Sequence, residues 1–112
     1  MEITDNGNGI QTVYVDSKFD TVTAPAVEKA MLALVNDGVR KMICNLEHCE
    51  YISSMALRAV LNVAKLLQKN GGQFVLCNLS AYILEIFELA GFTRILTIVD
   101  KQQTAVEKLN AC

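Results

Sequence analysis

From residue 41 to the end of the chain, apolar strand-like runs alternate with amphipathic helical stretches, and this alternation restricts the fold more than any other feature. The run Lys41 to Leu46 leads to a helical stretch Ser54 to Lys69, Gln73 to Asn78 leads to Ser80 to Ala90, and Ile95 to Val99 leads to Lys101 to Asn110. Strands that are each followed by a helix join parallel neighbours through crossovers, so the sheet is predicted to be mostly parallel with helices packed on it. Gly71-Gly72 and Gly91 fall at the helix ends, where chain reversal is needed.

The N-terminal third reads differently. Asp5-Asn6-Gly7-Asn8-Gly9 is a turn-forming cluster between Met1 to Thr4 and the alternating run Ile10 to Val15, and it predicts an antiparallel hairpin. A first helix is predicted over Thr21 to Asp37, with Val27, Ala30, Met31, Leu34 and Val35 at helical spacing, Thr23 as N-cap, Pro25 in the first turn and Gly38 as the stop. Ser80 is predicted to cap its helix, and Asp100 with Gln103 to form a capping box. The expected architecture is α/β: one domain over residues 1–112, with a mixed, mostly parallel sheet of about five strands and about four helices.

Composition removes several classes of function. A chain of 112 residues that is 52% hydrophobic and 20% charged can bury a single core and lacks the signature of disorder. A formal charge of −2 and a pI near 5.3 offer no general attraction to nucleic acid or to anionic lipid, and neither is expected as a partner. No run approaches the roughly 20 apolar residues of a membrane span, and Met1 to Asp5 does not read as a secretory signal. Cys44, Cys49, Cys77 and Cys112 are read as reduced thiols of a cytoplasmic protein. Cys44-x3-His48-Cys49 is not read as a metal site, because Cys44 lies inside an apolar strand, and no metal or cofactor is expected.

One stretch invites a functional reading. Tyr51-Ile52-Ser53-Ser54-Met55-Ala56-Leu57 takes a strand-like run into two serines and an almost wholly apolar helix, putting a hydroxyl at a helix N-terminus where phosphate is readily accommodated. In that helix Arg58, Asn62, Lys65 and Lys69 form one narrow polar stripe, read as a solvated face. In an open parallel sheet the loops after the strand C-termini gather on one edge, here Ser17 to Thr23, Glu47 to Ser54, Asn78 to Ser80 and the surroundings of Asp100. Asp20 and the two serines are therefore predicted neighbours. No nucleophile–base pair, carboxylate pair or phosphate-binding glycine motif is visible, and the single histidine, His48, reads as a loop residue, so an enzyme is not expected.

The order of these motifs resembles the STAS domain, and within it the free-standing bacterial anti-sigma-factor antagonists. Ser17-Lys18-Phe19-Asp20 is similar to the family's glycine-x-leucine-aspartate segment, followed by Thr23 and Ala24 on the way into the first helix. Ile52-Ser53-Ser54-Met55-Ala56-Leu57 falls on the signature hydrophobic-aspartate-serine-serine/threonine-glycine-leucine. Gly71-Gly72, Leu79-Ser80 and Leu89-Ala90-Gly91-Phe92 follow in the family's order. The resemblance implies a protein that binds an anti-sigma-factor serine kinase and releases a sigma factor, loses that binding when Ser54 is phosphorylated, and is reset by a PP2C-type phosphatase. Ser53 is the alternative acceptor. The implied partner-binding residues are Asp20, Ser53, Ser54, Met55, Ala56, Arg58 and Asn78.

The signature differs at three positions: Ser53 replaces aspartate, Met55 a serine or threonine, and Ala56 glycine. The Ala56 methyl group is expected to lie near a partner's backbone. Two other readings stay open: a STAS module that binds its partner without being phosphorylated, and a sensor taking a nucleotide or other anion at Asp20, Ser54 and Asn78. The apolar Phe87, Leu89 and Phe92 region is read either as core or as the contact surface of a weak homodimer.

Overall fold

The Asp5–Gly9 cluster turns as its residues favour: Gly7, Asn8 and Gly9 all adopt positive φ, and the Asp5 carboxylate accepts the Gly7 N–H at 2.8 Å. The turn joins β1 (Glu2–Asp5) antiparallel to β2 (Ile10–Tyr14), the predicted hairpin. The computed structural model describes residues 1–111, so Cys112 lies outside the described residues. After β2 come β3 (Lys18–Phe19), α1 (Ala24–Asn36), β4 (Lys41–Asn45), β5 (Tyr51–Ile52), α2 (Ser54–Lys69) and β6 (Gln73–Cys77). The chain continues through α3 (Ala81–Leu89), a single 3-10 turn at Phe92–Arg94, β7 (Thr97–Val99) and α4 (Gln102–Asn110).

Five strands form one sheet in the order β1-β2-β4-β6-β7, parallel throughout except for β1. Side chains alternate across a strand, so the four parallel strands serve two different cores, while β1 lies exposed at the sheet edge. Val13, Met42, Cys44, Phe74 and Leu76 point to the face covered by α1, α2 and α3, where Val27, Met31, Val35, Val60, Val63, Leu67, Ile83 and Phe87 close the larger core. Ile10, Ile43, Val75 and Cys77 point the other way, under Ala105 and Leu109 of α4. Burying near-continuous apolar strands on both faces is what gave them their unbroken hydrophobic runs.

The helices follow their patterns with local differences. Ser80 caps α3, accepting the Ile83 N–H at 3.2 Å. The capping box predicted from Asp100 and Gln103 does not form: Lys101 is the N-cap of α4 without a side-chain bond, and Gln103 reaches forward to Glu107 instead. β7 starts at Thr97, two residues later than predicted, because the 3-10 turn consumes the chain after Gly91 and leaves Ile95 exposed. Phe87 is fully buried and meets Phe92 edge to face at 6.1 Å between ring centroids, so these two belong to the core, whereas Leu89 is 81% exposed. Arg58, Asn62, Lys65 and Lys69 are all exposed, as a solvated stripe requires.

Gly72 marks a close approach between α2 and the sheet. A Cβ there would stand 2.6 Å from the Arg40 carbonyl oxygen and 2.8 Å from Leu67 Cδ2. That carbonyl cannot yield freely, since it accepts the Gln73 N–H at 2.7 Å where β6 joins β4. Gly72→Ala is expected to lower unfolding stability by about 1–3 kcal/mol, the usual cost of overpacking. Lys69→Ala, on the exposed stripe, is expected to stay within about 0.5 kcal/mol. Urea denaturation of both variants checks the contrast.

Candidate functional site at the start of the second helix

A miniature parallel ladder outside the main sheet assembles the site. β3 and β5 are two residues each and pair Lys18 with Tyr51 and Phe19 with Ile52. The Ser17 carbonyl accepts the N–H groups of Glu50 and Tyr51 at 2.7 and 3.2 Å, and the Phe19 carbonyl accepts that of Ser53 at 2.9 Å. Buried Phe19 and Ile52 anchor both strands in the larger core. The chains therefore leave the ladder in register, and Asp20 and Ser53 emerge side by side, as the edge argument predicted.

The two serines have separate tasks. Ser53 is extended, with φ −92° and ψ 167°, and its Oγ accepts the Ala56 N–H at 3.1 Å while its carbonyl accepts that of Leu57 at 3.0 Å. It is the N-cap of α2. Aspartate and serine are interchangeable in that role, which explains why the helix start survives the replacement of the signature aspartate. Ser54 is the first residue of α2, is exposed, and its hydroxyl has no hydrogen-bond partner among the described residues. The N–H groups of Ser54 and Met55 are likewise left without partners among the described residues, as at any helix start.

Asp20, not Thr23, closes the entry to α1. Its carboxylate accepts the N–H groups of Val22 and Thr23, each at 3.0 Å, and its carbonyl accepts that of Ala24 at 2.8 Å. Thr23 occupies the predicted cap position but has helical backbone angles and no capping bond. Its hydroxyl instead donates to the Lys18 carbonyl at 2.8 Å and accepts the Asp20 N–H at 3.0 Å, tying α1 to β3. The helix consequently begins at Ala24, three residues later than the predicted start at Thr21. The bond from the Thr23 N–H holds the Asp20 carboxyl below its ordinary range; partial burial opposes this, and the Val22 N–H, the Thr23 hydroxyl and Lys18 reinforce it.

The remaining predicted residues divide by exposure. Met55 and Arg58 are exposed, Met55 by 47%, and both stand on the first turns of α2 beside Ser54. Ala56 is not a surface residue: it is 0% exposed, with its methyl group in the larger core, so it cannot meet a partner's backbone. Asn78 lies on the correct edge, with φ at 60°, but its side-chain oxygen accepts from Asn45 on the α4 face at 3.4 Å. Two residues were missed by sequence reasoning. Val22, 84% exposed, and Tyr51, 47% exposed, put apolar surface next to Asp20 and Ser53, and only the two-residue ladder reveals that they flank one site.

Among the described residues no group of three or more histidine, cysteine or acidic side chains could hold a metal. Cys44, Cys49 and Cys77 are free and buried, and burial pushes the Cys77 thiol up to about 12 and the Cys44 thiol higher still. His48 is exposed in its loop with its ring 6.3 Å from that of Tyr14. No helix of the described residues is long and apolar enough to cross a membrane.

Comparison with known proteins agrees with this fold. The STAS domain family model matches residues 3–105. BtrV of Bordetella bronchiseptica, assigned as an anti-sigma factor antagonist, is 33% identical over 106 residues, covering 94% of this chain and 91% of the relative. The anti-sigma-B factor antagonist of Bacillus subtilis is 28% identical over 107 residues, covering 96% of each. The fold is also that of the anti-sigma factor antagonist SpoIIAA in its unphosphorylated form, at a TM-score of 0.80 and 15% identity, over 99% of this chain and 98% of that one. The chain belongs to the STAS domain family. Within that family it groups with the anti-sigma-factor antagonists.

Two measurements check the site. Ser53→Ala is expected to cost about 0.5–2 kcal/mol by loss of the cap, while Ser54→Ala stays within about 0.5 kcal/mol, both by thermal or urea unfolding. The Asp20 carboxyl should titrate below the ordinary aspartate value of about 3.9 when its side-chain carbon is followed by NMR. Because its folded pKa is depressed, its contribution to stability is complete above the unfolded value and fades as pH falls through the folded one. The protection of the Thr23 N–H relative to its intrinsic exchange rate at the same pH should accordingly fall only in that acid range, and unchanged protection there would contradict the capping role.

Proposed function

We propose that this chain is an anti-sigma-factor antagonist that binds an anti-sigma-factor serine kinase, releases a sigma factor, and is switched off by phosphorylation of Ser54. The observation that carries the proposal is the division of labour at residues 53 and 54. The Ser53 oxygen is committed to the Ala56 N–H, whereas the Ser54 hydroxyl is exposed and unengaged on a helix start fixed by buried Ala56, Leu57 and Val60. A kinase can reach Ser54 without undoing any contact. Reaching Ser53 means breaking a cap.

The switch needs no refolding. A phosphoryl group brings about −1.5 to −2 charge, which the unpaired N–H groups and dipole of a helix start tolerate. Its effect falls on the partner, which must otherwise cover the apolar surface of Val22, Tyr51 and Met55 around that hydroxyl. Leaving a charge unpaired in such an interface costs about 2–5 kcal/mol, a loss of affinity of roughly 30-fold or more. The phosphorylated state has precedent in the fold: SpoIIAA, solved in its phosphorylated form, superposes on this chain at a TM-score of 0.76. A PP2C-type phosphatase is the partner expected to reset the cycle. The anion-sensor reading is weaker, since Asp20 places an ionised carboxylate on this edge and Asn78 turns away from it to Asn45.

The test is binding of Ser54 variants to a purified anti-sigma factor of the histidine-kinase-like ATPase type from the same genome. Ser54→Asp is expected to bind at least 10-fold more weakly than the wild-type chain, and Ser54→Ala within about twofold of it. Equal binding of all three would reject the switch and leave the module that binds without phosphorylation.

A further inference from the structure

On the α4 face of the sheet, directly behind the partner-facing edge, five polar side chains join in one hydrogen-bonded cluster. Asn45 at the end of β4 and Thr12 in β2 are both 0% exposed, which is tolerable only if their polar atoms are paired. Gln102, in the first turn of α4, reaches both, sharing the Thr12 hydroxyl with the Asn6 side-chain amide, which donates to it as well. Its Oε1 accepts the Asn45 side-chain N–H at 3.0 Å, and its Nε2 donates to Thr12 Oγ1 at 2.8 Å and to Asn6 Oδ1 at 3.4 Å. Asn45 passes the connection to the edge in two directions. Its Oδ1 accepts the Glu47 N–H at 2.9 Å, and its amide also donates to Asn78 Oδ1 at 3.4 Å.

Both recipients lead to functional surface. Glu47 opens the turn that runs into β5, and so into Tyr51 and Ser53; Asn78 opens the loop into α3, in a left-handed conformation held further by its N–H bond to the Asp100 carbonyl at 3.1 Å. The packing of α4 on the sheet through Ala105 and Leu109 is apolar and carries no directional preference, and the bond from the Asn8 amide to Asn110 Oδ1 at 3.0 Å lies at the far end of the helix, by the hairpin turn. Hydrogen bonds do, and a fully satisfied buried network specifies one arrangement. We infer that Gln102 is a positioning residue for the partner-binding edge, setting the Glu47 turn through Asn45 and the Asn78 loop through the same amide. Its functional half rests on the antagonist reading proposed above.

The test compares Gln102→Leu with Leu109→Ala, which removes α4 core packing and none of the cluster. Amide hydrogen exchange of Glu47 and Asn78 is followed together with affinity for the purified ATPase-type anti-sigma factor and with Tm. Gln102→Leu is expected to speed Glu47 exchange at least 10-fold and weaken binding at least fivefold. Leu109→Ala is expected to lower Tm yet bind within about twofold of wild type at a temperature where it is folded. Equal loss of binding in both variants, or unchanged Glu47 exchange in Gln102→Leu, overturns the assignment. If the wild-type chain binds no anti-sigma factor, the antagonist reading fails, and the exchange measurement alone decides whether Gln102 positions the edge. Should Gln102→Leu not fold, the Asn45 side-chain amide protons of the wild-type protein must exchange at least 10-fold more slowly than those of exposed Gln103, and equal rates reject the cluster.

Discussion

The pairing of two short strands, Lys18–Phe19 with Tyr51–Ile52, is the interaction on which the proposed functional surface depends. It contributes few hydrogen bonds and would be negligible as an isolated sheet. Its strength comes from Phe19 and Ile52, which are buried in the main core and make the ladder an outgrowth of that core. Because the pairing is parallel and in register, it delivers the capping residues of two helices to the same edge. Asp20 organises the entry to α1 and Ser53 the entry to α2, and the Ser53 N–H is itself bonded to the Phe19 carbonyl.

This arrangement separates holding from signalling. The atoms that secure the helix starts, the Asp20 carboxylate and the Ser53 hydroxyl, are consumed by backbone N–H groups. The next residue along α2, Ser54, holds nothing. A modification there changes charge and shape at the surface without withdrawing a bond from the fold, the condition for a binding switch on an otherwise rigid domain. The replacements in the signature fit the same division: Ser53 keeps the capping function of an aspartate, and Ala56 fills core space, so neither alters the exposed hydroxyl.

Much of this was legible in the sequence. Alternation of apolar runs and helical stretches set the succession of strands and helices along the chain and the α2 boundaries, and the glycine-rich turn announced the hairpin; the order of the strands within the sheet came only with the fold. Local capping was less legible. Thr23 and Asp100 are residue types that cap, but whether they do depends on backbone angles, and at the start of α1 the longer-range bond from Thr23 to Lys18 decided the outcome. The β3–β5 ladder was too short to produce a period, so the exposure of Val22 and Tyr51 could not be tied to Ser54. The Thr12–Asn45–Gln102 cluster gave one faint signal, a polar residue ending the apolar run Met42 to Cys44, but its partners are far apart in sequence and meet only through the fold.

On the proposed function Ser54, and not its neighbour, is the residue free to be modified. Incubating the wild-type chain with ATP and the purified histidine-kinase-like anti-sigma factor from the same genome, then locating any phosphate by fragmentation mass spectrometry, decides this. A single phosphate on Ser54, with the N-cap at Ser53 unmodified, is the expected result. Phosphate on Ser53, or stable kinase binding with none incorporated, would contradict it.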